Sequence, residues 1–345
     1  MRSAPPALFF RDVLSSSALA HEVRDMPSDV ATSRRHIAIV ILMAVLFAPV
    51  LLTDARNGPA PQDANALVLV GAGDIADCTD LPGAEATARL LENIPGTVMA
   101  VGDLAYPDGT KENFACYDKT WGRAKTRTRP AVGNHEFHSK DATYYFDYFG
   151  KAAGDPKDGF YSYDLGAWHI IALNSECIEV GGCNADSREE KWLRSDLAGH
   201  SQACTLAYFH KPLFSSGGKH GDDLEIKPLF QALYDANADV IVNGHDHDYE
   251  RFAPQDPNGK ADPVRGIREF VVGTGGKNHR PFGEPHPNSE VRNADTFGVL
   301  KLTLRSNGYD WQFIPEAGKT FTDSGSGVCH MSILRSSLSK RGKRK

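Results

Sequence analysis

Short, mostly apolar runs recur along this chain, and most of them stop at a glycine. The runs at 66–70, 97–101, 128–132, 168–173, 204–209, 240–242 and 269–272 are three to six residues long and bordered by turn formers. Their length and borders predict buried strands rather than helices. The residues just beyond the runs are more informative. The first run leads into Gly71-Ala72-Gly73-Asp74, the second into Gly102-Asp103 and the third into Gly133-Asn134. The fifth gives directly onto His210, and the sixth runs into Asn243-Gly244-His245. Between the runs, 83–93 has helical spacing, with Ala86, Leu90 and Leu91 toward a core, and 187–198 and 223–237 predict further helices. Residues 297–304 and 309–314 flank Asn307-Gly308, a dipeptide that favours a hairpin turn. Strands alternating with helices predict an α/β fold. In such folds the functional loops lie at the carboxyl ends of the strands. Several unrelated strand ends would therefore aim their polar residues at one edge.

Composition narrows the setting. The 345 residues are 41% hydrophobic and 24% charged, which fits a folded chain of one large domain or two small ones. The formal charge of −6 offers no basic field, so no nucleic-acid binding is expected. Residues 37–52 are apolar and uncharged, follow Arg34 and Arg35, and precede the small residues around Ala55. Charged start, apolar centre and small-residue exit predict a signal peptide. The run falls short of the roughly 20 residues of a membrane span; membrane contact is expected only if the leader stays as an uncleaved anchor. The expected organisation is a leader at 1–55, a linker at 56–66, a catalytic domain at 67–330 and a basic, unstructured tail at 331–345. Export to the periplasm, cell surface or medium follows, and it makes disulfides of Cys78, Cys116, Cys177, Cys183, Cys204 and Cys329. Six cysteines allow about 15 pairings. Cys177 and Cys183, flanking a Gly-Gly turn, are the one pair the sequence suggests.

Asp74, Asp103, Tyr106, Asn134, His210, His245 and His247 together offer two carboxylates, a phenol, an amide and three imidazoles. Such oxygen and nitrogen donors suit iron, zinc or manganese, and the absence of cysteine among them argues against a thiolate zinc site. His245 and His247, at a spacing of two, would point the same way on a strand. Each residue alone reads as a turn or a core residue; their joint occurrence at successive strand ends predicts a dinuclear site.

The order GD (Asp74), GD (Asp103), GNH (Asn134), H (His210) and GHDH (His245, His247) resembles the calcineurin-like metallophosphoesterases. Tyr106, three residues after the second Asp, and the YER that follows His247 resemble the purple acid phosphatases in particular, in their compact bacterial form. The resemblance covers about 67–314. It implies a four-layer αββα sandwich of two mixed β-sheets with the dinuclear metal site at the strand-end edge. It also implies that Asp74, Tyr106 and His247 hold one metal, that Asn134, His210 and His245 hold the other, and that Asp103 bridges them. A phenolate at one metal and a neutral amide at the other make the pair unequal, so the expected ions are Fe(III) with Zn, Mn or Fe(II). A bridging carboxylate keeps two cations about 3.5–4 Å apart, and bound water then loses its proton near neutral pH and attacks phosphorus in line. The expected substrate is a small phosphate monoester. The alternatives are a phosphodiesterase acting on nucleotides or glycerophosphodiesters, and a non-catalytic phosphate or metal binder. His135, beside Asn134, and His220, in a Gly-rich loop, are the expected proton donors to the leaving group. Glu136, Asp246 and Asp248 are expected to orient ligands. Gly273 to Lys277 lacks the spacing of a phosphate-binding loop and reads as a turn at the rim. The aromatic residues Tyr144, Tyr145, Phe146, Tyr148 and Phe149 read as core or pocket wall.

Overall fold

The computed structural model describes residues 66–330. The predicted leader, nearly all of the linker and the basic tail lie outside the described residues. Along the chain run β1 (Leu67–Ala72), β2 (Ala76–Asp77), α1 (Pro82–Asn93), β3 (Thr97–Val101), β4 (Ala105–Tyr106), α2 (Lys111–Lys119) and β5 (Thr128–Ala131). They are followed by α3 (Thr143–Phe149), β6 (Tyr161–Leu165), β7 (Trp168–Ala172), α4 (Arg188–Gly199), β8 (Cys204–Tyr208), α5 (Lys227–Asp235) and β9 (Val240–Asn243). The last elements are β10 (Tyr249–Phe252), β11 (Arg268–Val272), β12 (Ser289–Asn293), β13 (Gly298–Arg305), β14 (Gly308–Pro315) and β15 (Ser324–Val328).

Two mixed sheets carry the fold. The first has the order β15-β14-β13-β1-β3-β5, and the second β12-β10-β11-β9-β8-β7-β6. Strands β1, β3 and β5 run parallel in the first sheet, and β7, β8, β9 and β11 in the second. Side-chain alternation divides the second sheet between two cores. Leu206, Val240, Val242 and Phe270 share a cluster with Leu69, Val98, Leu300 and Phe313 of the first sheet. Their neighbours Ala207, Ile241 and Val271 pack instead with Leu193 of α4 and Leu229 and Phe230 of α5. A strand buried on both faces reads as an unbroken apolar run, which is why these strands are visible in the sequence.

Local chemistry sets the helix boundaries. The Ser187 hydroxyl accepts from the Glu190 N–H and starts α4, and Thr110 and Asn113 form a reciprocal cap on α2. The single helix expected at 223–237 is divided. A 3₁₀ turn at Leu224–Ile226 precedes α5, which places Pro228 in the first helical turn, where its missing N–H costs nothing. The aromatic residues of α3 join the core through Tyr145, Phe146 and Phe149, whereas Tyr144 is exposed.

The carboxyl ends of the parallel strands meet at one edge. The Gly73 N–H after β1 donates to the Val272 carbonyl at the end of β11, and the Gly275 N–H returns to Gly73. The two sheets are thus stitched together where the loops begin. Three disulfides join Cys78 to Cys116, Cys177 to Cys183 and Cys204 to Cys329. The middle pair is the one the Gly-Gly turn suggested. Among the described residues, no helix is long and apolar enough to cross a membrane.

Candidate metal centre

Three of the predicted ligands sit on backbone that side chains seldom adopt. Asp74, Asp103 and His245 have φ of 60°, 52° and 73°. Left-handed backbone costs a non-glycine residue of order 1 kcal/mol or more, and such costs gather at functional sites. The neighbouring glycines show why the turns are so tight. A Cβ on Gly102 would lie 2.5 Å from the His210 side chain, and one on Gly244 would lie 2.7 Å from the Asp74 carboxylate. Any larger residue there would push the ligand ends apart.

The side chains form two adjoining groups around Asp103. In the first, the Tyr106 hydroxyl lies 2.7 Å from Asp74 Oδ1, 3.0 Å from Asp103 Oδ2 and 3.2 Å from His247 Nε2. His247 Nε2 is also 3.2 Å from Asp74 Oδ1. In the second, His210 Nε2 lies 3.2 Å from Asp103 Oδ2 and 3.1 Å from His245 Nδ1. Ligand atoms of Asp103, His210 and His245 all fall within 4.8 Å of one another. Asn134 borders this group: the next N–H, that of His135, donates to Asp103 Oδ1 at 2.9 Å. The Asn134 Oδ1 is buried and has no hydrogen-bond partner.

His245 and His247 do not lie on a strand, contrary to the alternation expected for them. β9 ends at Asn243, and both histidines occupy the bend beyond it. The positive φ at His245 turns them to different groups, His245 toward His210 and His247 toward Tyr106.

The tautomers of two histidines follow from their partners. His210 Nδ1 lies 3.0 Å from the Val101 carbonyl, and His247 Nδ1 lies 2.6 Å from the Asn278 amide oxygen. Each Nδ1 has an acceptor, so in the neutral ring each Nε2 would present its lone pair to carboxylate oxygens that also present lone pairs. Such an arrangement needs a proton or a cation between the facing atoms. Burial first, and then the charges of Asp103 and Asp74, push the Tyr106 phenol well above its ordinary value. Burial alone would lower His210, but the Asp103 carboxylate lifts it to about 10. Burial and the adjacent His210 hold His245 well below its usual range. Cations between these groups would take the place of the proton on His210 and allow Tyr106 to ionise. The orphaned Asn134 oxygen and the converging ligand atoms of Asp103, His210 and His245 therefore fit resident metal ions.

The flanking residues brace the loops. Glu136, buried, accepts from the N–H groups of Gly133, Asp103, Leu104 and Ala105 and locks the turn after β3 to the turn after β5. Burial and the Asp103 charge push its pKa up to about 8. Asp246 faces away from the ligands: it accepts from the Ser215 hydroxyl and from the N–H groups of His220 and Gly221, shaping that loop. Asp248 is buried with both carboxylate oxygens unpartnered. The 273–277 segment forms a rim turn, with the Lys277 N–H on the Asp74 carbonyl and its ammonium on Asp77. Asn278, which orients His247, escaped the sequence reading, because a lone Asn after a glycine turn carries no local signal.

His135 adjoins Tyr106 and Asp103, and His220 adjoins His245. His135 Nδ1 is bonded to the Pro107 carbonyl, its ring lies 4.3 Å from that of Tyr106, and its Nε2 is 3.7 Å from Asp103 Oδ2. The His220 ring lies 4.0 Å from that of His245, and its Nε2 meets the Arg280 guanidinium.

The sequence model of the calcineurin-like phosphoesterase family matches residues 51–249. Purple acid phosphatase 18 of Arabidopsis thaliana is 28% identical over 246 residues, covering 63% of this chain and 54% of its own length. The chain therefore spans about half the length of the curated relatives it matches. Among solved structures, a purple acid phosphatase from yellow lupin seeds superposes with a TM-score of 0.67 at 19% identity, covering 80% of this chain and 56% of its own. GAP50, the anchor in the inner membrane complex of Plasmodium, superposes at 0.57 and 14% identity, covering 76% of this chain and 88% of its own. At these identities both structures speak for the fold alone.

Proposed function

The chain belongs to the calcineurin-like phosphoesterase family, and from that premise we propose that it hydrolyses small phosphate monoesters at a two-metal centre. One observation carries the proposal: His210 Nε2 and His247 Nε2 each lie 3.2 Å from a carboxylate oxygen, in two buried groups that share Asp103. In this reading Asp74, Tyr106 and His247 would hold one ion, Asn134, His210 and His245 the other, and Asp103 would serve both. The ions, when bound, supply activated water and neutralise charge on the phosphate. The unequal ligand sets suit Fe(III) beside Zn, Mn or Fe(II). Two sheets that share one core, with helices packed outside, support the four-layer αββα sandwich.

The remaining chemistry falls to the protein. A leaving alkoxide needs a proton. His135 binds the Pro107 carbonyl through Nδ1, which fixes its ring and leaves Nε2 facing the centre, where it can hold and deliver that proton. Val101 and Asn278 set the orientation of the imidazoles, and Glu136 keeps the two loops in register. Three disulfides suit an oxidising compartment and thus support export.

An absorption spectrum and metal analysis on one natively expressed sample test the proposal, with p-nitrophenyl phosphate and bis(p-nitrophenyl) phosphate assayed at acid pH. The expected result is a broad visible band, iron in the protein and faster turnover of the monoester. Tyr106→Phe should remove the band. A colourless zinc or manganese protein that prefers the diester would move the activity to the phosphodiesterases. No bound metal and no turnover after reconstitution would overturn it.

A further inference from the structure

None of the ligands of the centre reads the substrate itself, and the cationic side chains nearby are mostly committed elsewhere. Lys277 is paired with Asp77, and Lys211 with Glu176. His138 lies on Asp108, and His279 is stacked on Phe297. Arg280 differs. Its guanidinium meets only His220 Nε2, and it has no carboxylate partner among the described residues. A guanidinium donates and never accepts, so His220 Nε2 must be the acceptor. Arg280 thus rests on an imidazole that itself lies 4.0 Å from the ring of His245. Its backbone is fixed as well: the Arg280 N–H donates to the His247 carbonyl, the Gly218 N–H to the Pro281 carbonyl, and the Gly283 N–H to the Ser216 carbonyl. The loop that carries His220 and the segment that carries Arg280 are therefore joined into one wall beside the His245 group.

A half-buried cation with no carboxylate counter-ion is a place for an anion. The planar fork of Arg matches two oxygens of one phosphoryl group. A monoester presents three terminal oxygens and a diester only two. We propose that Arg280, seated on His220, binds the terminal phosphate oxygen that only a monoester offers, and so is the residue that makes this centre prefer monoesters to diesters. The inference rests on the phosphoesterase reading above and names the substrate feature that reading leaves open.

The test compares Arg280→Met and Arg280→Lys with the wild type in the metal-loaded enzyme, with metal content measured in each. The readouts are kcat/KM for p-nitrophenyl phosphate and for bis(p-nitrophenyl) phosphate, and the Kd for inorganic phosphate by calorimetry. Loss of a charged hydrogen-bond pair corresponds to a change of about 10- to 100-fold. Arg280→Met should weaken phosphate binding and lower monoester kcat/KM by that factor, chiefly through KM, while the diester falls far less and metal content holds. Arg280→Lys should restore part of the loss. Equal losses on both esters, or an unchanged phosphate Kd, would overturn the role of Arg280. If the wild type turned over neither ester, the phosphoesterase reading would fail separately, and the phosphate Kd would still decide whether Arg280 binds the anion.

Discussion

Cys204 and Cys329 offer the sharpest stability test. Cys204 opens β8, and Cys329 follows β15 at the margin of the other sheet, so the bond ties the two sheets together. Its sequence separation is 125 residues, against 6 for Cys177 and Cys183. In the chain-entropy account, a crosslink stabilises by limiting the unfolded chain, and its effect grows with the logarithm of the loop. The long loop then corresponds to about 5 kcal/mol and the short one to about 2.5 kcal/mol. All four cysteines are buried, so Cys→Ala at either pair removes similar packing and the comparison isolates loop length. For a domain of this size the difference of about 2.5 kcal/mol should separate the two melting temperatures by roughly 5–10 °C. Thermal and urea unfolding of C204A/C329A and C177A/C183A would be measured against wild type, with kcat/KM taken well below both transitions. Activity should survive in C204A/C329A, because β8 meets the candidate centre at its other end, through His210. Equal destabilisation, or a greater loss in C177A/C183A, would refute the reasoning.

Asp103→Ala should abolish turnover and cost the protein both metals, as read by elemental analysis; retention of either ion with normal turnover would remove the bridging assignment. His135→Ala should lower kcat by about 100-fold, the usual scale for an acid–base group, with metal content unchanged. Far from the centre, His169 is buried between Asp164 at 3.0 Å and Asp196 at 2.6 Å, under the ring of His200. Burial alone would lower the His169 pKa, but hydrogen bonds to Asp196 and Asp164 outweigh it and raise it; the same contact lowers Asp196 against its own burial. A raised His pKa stabilises fully below about 6.5, and that stability is lost as pH rises through the folded value. A lowered Asp pKa stabilises above about 3.9, and that stability is lost as pH falls through the folded value. His169→Asn should therefore destabilise by about 3 kcal/mol near pH ~5 and by progressively less as pH rises through the folded His169 value, as urea unfolding across a pH series would show.

The sequence made the buried half of this fold legible and hid the edges. Strands β1, β3, β7, β8, β9 and β11 are largely buried, and their apolar runs stand out. Strands β6, β12 and β15 are outermost in their sheets and half exposed, so no apolar run marks them. β10 is buried yet reads Tyr-Glu-Arg-Phe, because Glu250 is satisfied by Ser216 and Ser289, and Arg251 by Asp323. Periodicity cannot report polar residues whose partners arrive from distant loops. The same limit applies at the centre. Residues following a glycine at a strand end could be found by pattern, whereas Asn278 and Arg280 matter through what they touch, and the contacts exist only once the sheets have met.

The turns explain why glycine and ligand occur together. A side chain that is to reach a point shared by two sheets must leave its strand at once, and the left-handed backbone of Asp74, Asp103 and His245 does this at an energetic cost. The adjoining glycines let the opposing loops approach: Gly102 lies against His210, from the other sheet, and Gly244 against Asp74, from the first. The strain is therefore distributed over both sheets and held in place by contacts between them. A substitution at Gly102 or Gly244 would act at a distance from its own loop, by displacing the ligand of the partner sheet. In this architecture the pairing of the two sheets and the geometry of the centre are set by the same few residues.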